Sequence, residues 1–97
     1  MIAVEFQGAR GGPAKLEAFL RSHNLPVVES TVVGTHLERR GTVDPDYEAL
    51  VHVVIYVAGE ERARPEGAVS LAEVVAVVDR FKRSYGRPMR VSVVDQS

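Results

Sequence analysis

Five side chains in this sequence are of types that could do proton or ligand chemistry together: Glu5, His36, Glu38, His52 and Tyr56. Imidazole titrates near neutral pH, and beside a carboxylate it can act as a general base or hold a divalent cation. The Tyr56 phenol adds a hydrogen-bond donor and acceptor. No closely spaced His-x-x-x-His pattern links the histidines, and the chain has no Cys. Thiolate metal sites, a Cys nucleophile and a disulfide framework are therefore excluded. Neither a metal nor a cofactor is expected, and nothing in the sequence assembles a catalytic triad or a carboxylate pair. The five residues fall on three separate stretches of the chain, so only a sheet that aligns those stretches as strands could bring them together.

A second candidate is Gly8-Ala9-Arg10-Gly11-Gly12, directly ahead of Pro13. Free amides at a helix start attract anions, and a guanidinium adds a two-pronged donor, so Arg10, Gly11 and Gly12 form a candidate anion site. The string Phe6-Gln7-Gly8-Ala9-Arg10 resembles, over five residues, the Val-Gln-Gly-Val stretch with which acylphosphatases hold phosphate. That resemblance implies phosphate handling at this loop. The arginine spacing departs from that family and no Asn on the second strand stands ready to position water, so the chain is not assigned to it. A nucleotide-binding Walker loop is excluded because the Gly-Lys-Ser/Thr ending is missing. The competing reading is a plain flexible turn.

A third candidate is the basic run Arg80, Lys82, Arg83 and Arg87, followed by Arg90. Cations near a helix C-terminus also interact favourably with the macrodipole, so a structural role suffices. Acidic Asp44, Asp46 and Glu48 offset this charge elsewhere, and the formal net charge is −1. Nucleic-acid binding is disfavoured: no global field supports it, and only Tyr56 sits where an RNA-binding sheet would carry stacking aromatics.

The elements that position these groups follow from periodicity. Ile2, Val4 and Phe6 alternate with Ala3, Glu5 and Gln7, the pattern of a half-buried strand. Leu16, Phe19, Leu20 and His23 fall at helical spacing from Pro13, and Asn24 with Pro26 ends that helix. His23 is read as a helix C-terminal residue rather than a ligand. Val27 to Glu38 is β-branched and alternating, with a bulge expected at Gly34, and Arg39 to Tyr47 reads as a turn region around Asp44-Pro45-Asp46. Leu50 to Val57 is the longest β-branched run and reads as a central strand. Ala58 to Ala68 reads as a surface loop. Ser70 and Glu73 form a capping box for a helix whose apolar stripe is Leu71, Val74, Val75, Val78, Phe81 and Tyr85, and which stops at Gly86. Met89, Val91 and Val93 alternate with Arg90, Ser92 and Val94 in a last strand.

The order β-α-β-β-α-β is that of the ferredoxin-like α+β sandwich. The expectation is a single domain over residues 1–97: a four-stranded antiparallel sheet in strand order 4-1-3-2, with two helices on one face. The other face would carry Glu5, His36, Glu38, His52 and Tyr56 among Val28, Val32, Val54 and Val94, with Val33 and Leu37 turned inward provided that Gly34 does not shift the register of the second strand. A surface this apolar needs cover. The expected role is a binding or regulatory domain that self-associates, as a homodimer, or binds a partner protein through that face. The alternative is a small-molecule or phosphate-handling enzyme using the His/Glu/Tyr cluster or the Gly-Arg-Gly-Gly loop. A further alternative is nucleic-acid binding through the basic end of the second helix. No signal peptide and no apolar run of spanning length is read in the sequence, so a cytoplasmic protein without membrane contact is expected.

Overall fold

A computed structural model describes residues 1–37, 49–60 and 69–96, with the side chains of residues 35–37 and 49 left aside. Strand β1 (Ile2–Ala9) is followed by helix α1 (Gly12–Ser22), strands β2 (Val27–Leu37) and β3 (Ala49–Val57), helix α2 (Leu71–Tyr85) and strand β4 (Met89–Asp95). The sheet order is β2-β3-β1-β4, and every pairing in it is antiparallel. This is the ferredoxin-like arrangement with β1 and β3 in the middle.

The core lies on one side of the sheet. Ile2, Val4 and Phe6 of β1, Val51, Val53, Ile55 and Val57 of β3, and Val91 of β4 pack against Leu16 and Leu20 of α1 and Val74, Val77, Val78 and Phe81 of α2. Met89 and Val93 of β4 pack against the same core, and strand alternation sends the intervening residues of β1, β3 and β4 to the opposite face. On α2 the buried stripe is Val74, Val77, Val78 and Phe81, whereas Val75, expected inside, is exposed. Val77 is buried instead, because it flanks the Val74, Val78 and Phe81 stripe on the side away from Val75.

The helix ends follow local chemistry. The Ser70 hydroxyl accepts from the Glu73 amide at 3.3 Å, and Gly86 takes the left-handed conformation (φ 74°) that ends α2. At the end of α1, Asn24 adopts φ 62°. Its amide bonds to the Arg21 carbonyl at 3.0 Å and the Leu25 amide to the Leu20 carbonyl at 3.1 Å, which is a Schellman motif.

Several expectations about β2 and the loop after β3 are corrected. Strand β2 carries two register shifts, between Val27 and Glu29 and between Val32 and Gly34. The second confirms a bulge near Gly34 but places the extra residue at Val33. Val32 therefore pairs with Val53, on the helix side, rather than joining the open face, and Val33 is a half-exposed bulge residue rather than an inward one. Val28 is the unpaired residue of the first shift. Within the stretch read as a surface loop, Gly59–Glu60 forms a two-residue parallel pair with Val69–Ser70. Glu38 and the turn region with Asp44, Asp46 and Glu48 lie outside the described residues.

Candidate functional site

The open sheet face is built as rows across the four strands, because residues opposite each other in a ladder share a face. One row reads Glu29, Tyr56, Ala3, Val94 from β2 to β4. The next reads Thr31, Val54, Glu5, Ser92, and the third Gly34, His52, Gln7, Arg90. His36, Leu50 and Ala9 occupy a fourth, shorter row.

Glu5 and His52 meet, as diagonal neighbours on β1 and β3. Glu5 Oε1 lies 2.9 Å from His52 Nε2, with the two side chains 43% and 24% exposed. The approach is short but misaligned: His52 Nε2 is shielded from solvent and has no partner of hydrogen-bond geometry. It is a contact of charge type, and an ion pair only when the imidazole is protonated. Its exposure keeps its worth in the range of surface pairs, at most about 1 kcal/mol. Tyr56 shares the face but sits two rows from His52, about 13 Å along the strand at about 3.3 Å per residue. The face thus brings two of the five candidates into contact, places Tyr56 apart and His36 in the register position beside Leu50, and leaves Glu38 undescribed. Among the described residues no three His, Asp or Glu side chains cluster as a metal site.

The glycine loop has a steric explanation. Gly11 caps α1 at φ 95° without a side-chain bond, Gly12 is buried, and Arg10 is exposed in the turn. A Cβ on Gly12 would lie 2.2 Å from Phe6 Cζ and 2.7 Å from the Tyr85 hydroxyl oxygen. Glycine is needed there by packing, whatever else the loop does. His23 is the C-terminal cap of α1, its Nδ1 2.9 Å from the Phe19 carbonyl and its ring against Phe19.

The basic run divides. Arg80, Lys82 and Arg83 are exposed on α2 and Arg87 follows the helix, whereas Arg90 stands on β4 on the open face of the sheet. No single basic stripe joins them. Arg90 instead lines two depressions. A groove of about 370 Å³ at the end of the sheet is formed by Gln7, Gly8, Leu50, Val51, Pro88, Met89 and Arg90. A smaller one of about 190 Å³ lies between β1 and β4, bounded by Glu5, Gln7, Arg90, Val91 and Ser92. Gln7 and Arg90 were legible as outward residues by parity, but their convergence depends on the β1–β4 register.

No protein-family model matches the sequence, and no curated protein sequence matches it. Solved structures do resemble the fold. The chain is similar to a Thermus thermophilus protein described as a PII-like signaling protein, with a TM-score of 0.51 at 13% identity over 96% of this chain and 83% of that one. It is also matched with the de novo designed protein Ferredog-Diesel, with a TM-score of 0.28 at 17% identity over 94% of this chain and 82% of that one. The Thermus match supports the ferredoxin-like fold. No helix among the described residues is long and apolar enough to cross a membrane.

Proposed function

We propose that this chain is a small regulatory domain of the cytoplasm that works by associating with a second copy of itself through the open sheet face. The observation that carries the reading is the face itself. No described element covers it, yet it presents Val94, 51% exposed, with Tyr56 and Leu50 half-buried and the edge strand β2 exposing Val28 and Val33 beside it. One-sided sheets bury such surface against a partner. The description of the Thermus protein as a signaling protein supports a domain that binds and reports rather than one that transforms a substrate. Sedimentation from about 1 to about 100 μM tests it, a range spanning weak and moderate affinities. A mass that rises with concentration is expected, and a monomer throughout refutes it.

A second reading rests on the 370 Å³ groove, whose volume is at the lower end of ligand pockets. Arg90 and Gln7 stand beside Gly8, Val51, Pro88 and Met89, a lining for a small organic acid with an apolar body. Thermal shift with small carboxylic acids and inorganic phosphate at millimolar concentration checks it, and no shift with any of them removes it.

A further inference from the structure

We infer that the second copy meets the open face across a two-fold axis lying along one diagonal of the sheet, so that Glu29 of each copy pairs with Arg90 of the other. The inference rests on the self-association proposed above and adds its geometry. From β2 to β4 the face is about 14 Å wide, three strand spacings of about 4.8 Å. From the Glu29 row to the Arg90 row it is about 13 Å, four residues at about 3.3 Å. The charged face is therefore nearly square, with Glu29 and Arg90 at opposite corners and Gly34 and Val94 at the other two. Both Glu29 and Arg90 are exposed.

Four in-plane two-fold axes are available to two stacked copies, and charge separates them. An axis along the strands sets Glu29 against Val94 and Glu5 against Val54, which desolvates carboxylates over apolar groups. An axis across the strands sets Glu5 against its own copy and leaves Glu29 opposite Gly34 and Arg90 opposite Val94, with neither charge paired. The diagonal through Glu29 and Arg90 sets each of these against itself, with the same fault. The diagonal through Gly34 and Val94 also passes beside Glu5, but of the four it alone joins Glu29 to the opposing Arg90, twice over, and it closes Val94 on its own copy. The strands then cross near 90°, one of the two established ways in which sheets stack.

Shape supports the same axis. Reflection in it carries Tyr56 onto the stretch between Ser92 and Arg90, which is the 190 Å³ depression between β1 and β4. An aromatic ring seated there lies over the Arg90 guanidinium, a favourable cation–π placement. The same operation brings His52 onto β2 between Thr31 and Gly34.

The test is a charge exchange read by sedimentation and native mass. Glu29→Arg and Arg90→Glu are each expected to weaken association at least about tenfold, because each puts like charges together twice per dimer. The double variant is expected to restore it to within a few-fold of the wild type. Far-UV circular dichroism of each variant confirms that the fold is kept. Tyr56→Ala is expected to weaken association with the fold intact. If the wild type associates but the single exchanges leave it unchanged, or the double fails to restore what they break, the diagonal axis is wrong and self-association stands. A mass other than two chains also overturns the axis. A wild type that stays monomeric removes the parent reading instead.

Discussion

Replacing Gly12 with Ala tests whether the glycine loop is shaped by packing. The new methyl would meet Phe6 Cζ at 2.2 Å, Phe6 Cε1 at 2.8 Å and the Tyr85 hydroxyl oxygen at 2.7 Å. Phe6 is fully buried and its ring meets Tyr85 edge-on at 6.2 Å between centroids, so it has no solvent side into which to withdraw. Overpacking of this kind costs about 1–3 kcal/mol. Ala recovers part of that through helix propensity, less than the roughly 1 kcal/mol of a mid-helix position because Gly12 opens α1. The net expectation is a loss of about 1–2 kcal/mol. In a chain of this size that lowers Tm by roughly 4–15 °C. Urea denaturation at a few micromolar protein reads it directly, with Gly34→Ala as the control. An added Cβ at Gly34 has open space around it, and glycine weakens a strand interior, so the control should be neutral or more stable by up to about 1 kcal/mol. A Gly12→Ala protein as stable as the wild type would refute the packing argument and return the loop to the status of an unconstrained turn.

The other expectations concern the scaffold and the face. Ser70→Ala removes the acceptor for the Glu73 amide and should cost about 1 kcal/mol in denaturant titration, whereas Ser70→Asp should keep most of the stability. Phe81→Ala empties a buried site between Phe19 and Tyr85, at 5.5 and 5.0 Å between ring centroids, and should cost about 3–5 kcal/mol by the same measurement. A double-mutant cycle on Glu5→Gln and His52→Gln should give a coupling below about 1 kcal/mol that shrinks with added salt, and a larger, salt-insensitive coupling would refute its treatment as a surface pair.

Much of this fold was legible because each element carries its own signal. The alternation of Ile2, Val4 and Phe6 orients β1, and the Ser70–Glu73 spacing and Gly86 mark both ends of α2. Placing Glu5 and His52 on one face needed only parity, but their contact needed the register that sets Glu5 opposite Val54 and Gln7 opposite His52. Strand β2 resisted reading for a definite reason. Its two bulges fall at Val27-Val28 and Val32-Val33, and a doublet of equal residues is apolar at both parities. The pattern looks the same whichever member is squeezed out of the ladder, so parity put Val32 and Val33 in positions that the register does not give them. The need for glycine at Gly12 was hidden because Phe6 and Tyr85 reach it only through the tertiary fold. Arg90 read as one more cation after α2, although the alternation of Met89, Arg90 and Val91 already held the information that separates it from the helix.

The size of the face bears on what kind of association it can support. A patch about 14 Å wide and about 20 Å long over four rows is less than half of the roughly 800 Å² per partner that stable complexes bury. Its centre is mixed, with Glu5, His52 and Gln7 interleaved with Val54, and among the described residues no large aromatic anchor other than Tyr56 stands on it. Two copies held this way would therefore exchange readily, and Tyr56 in its depression would carry more of the affinity than any other single contact. Such a contact is poorly suited to a permanent scaffold. It suits a domain whose assembly tracks its own concentration, and in which loss of one charged corner, Glu29 or Arg90, is enough to shift the balance to monomer.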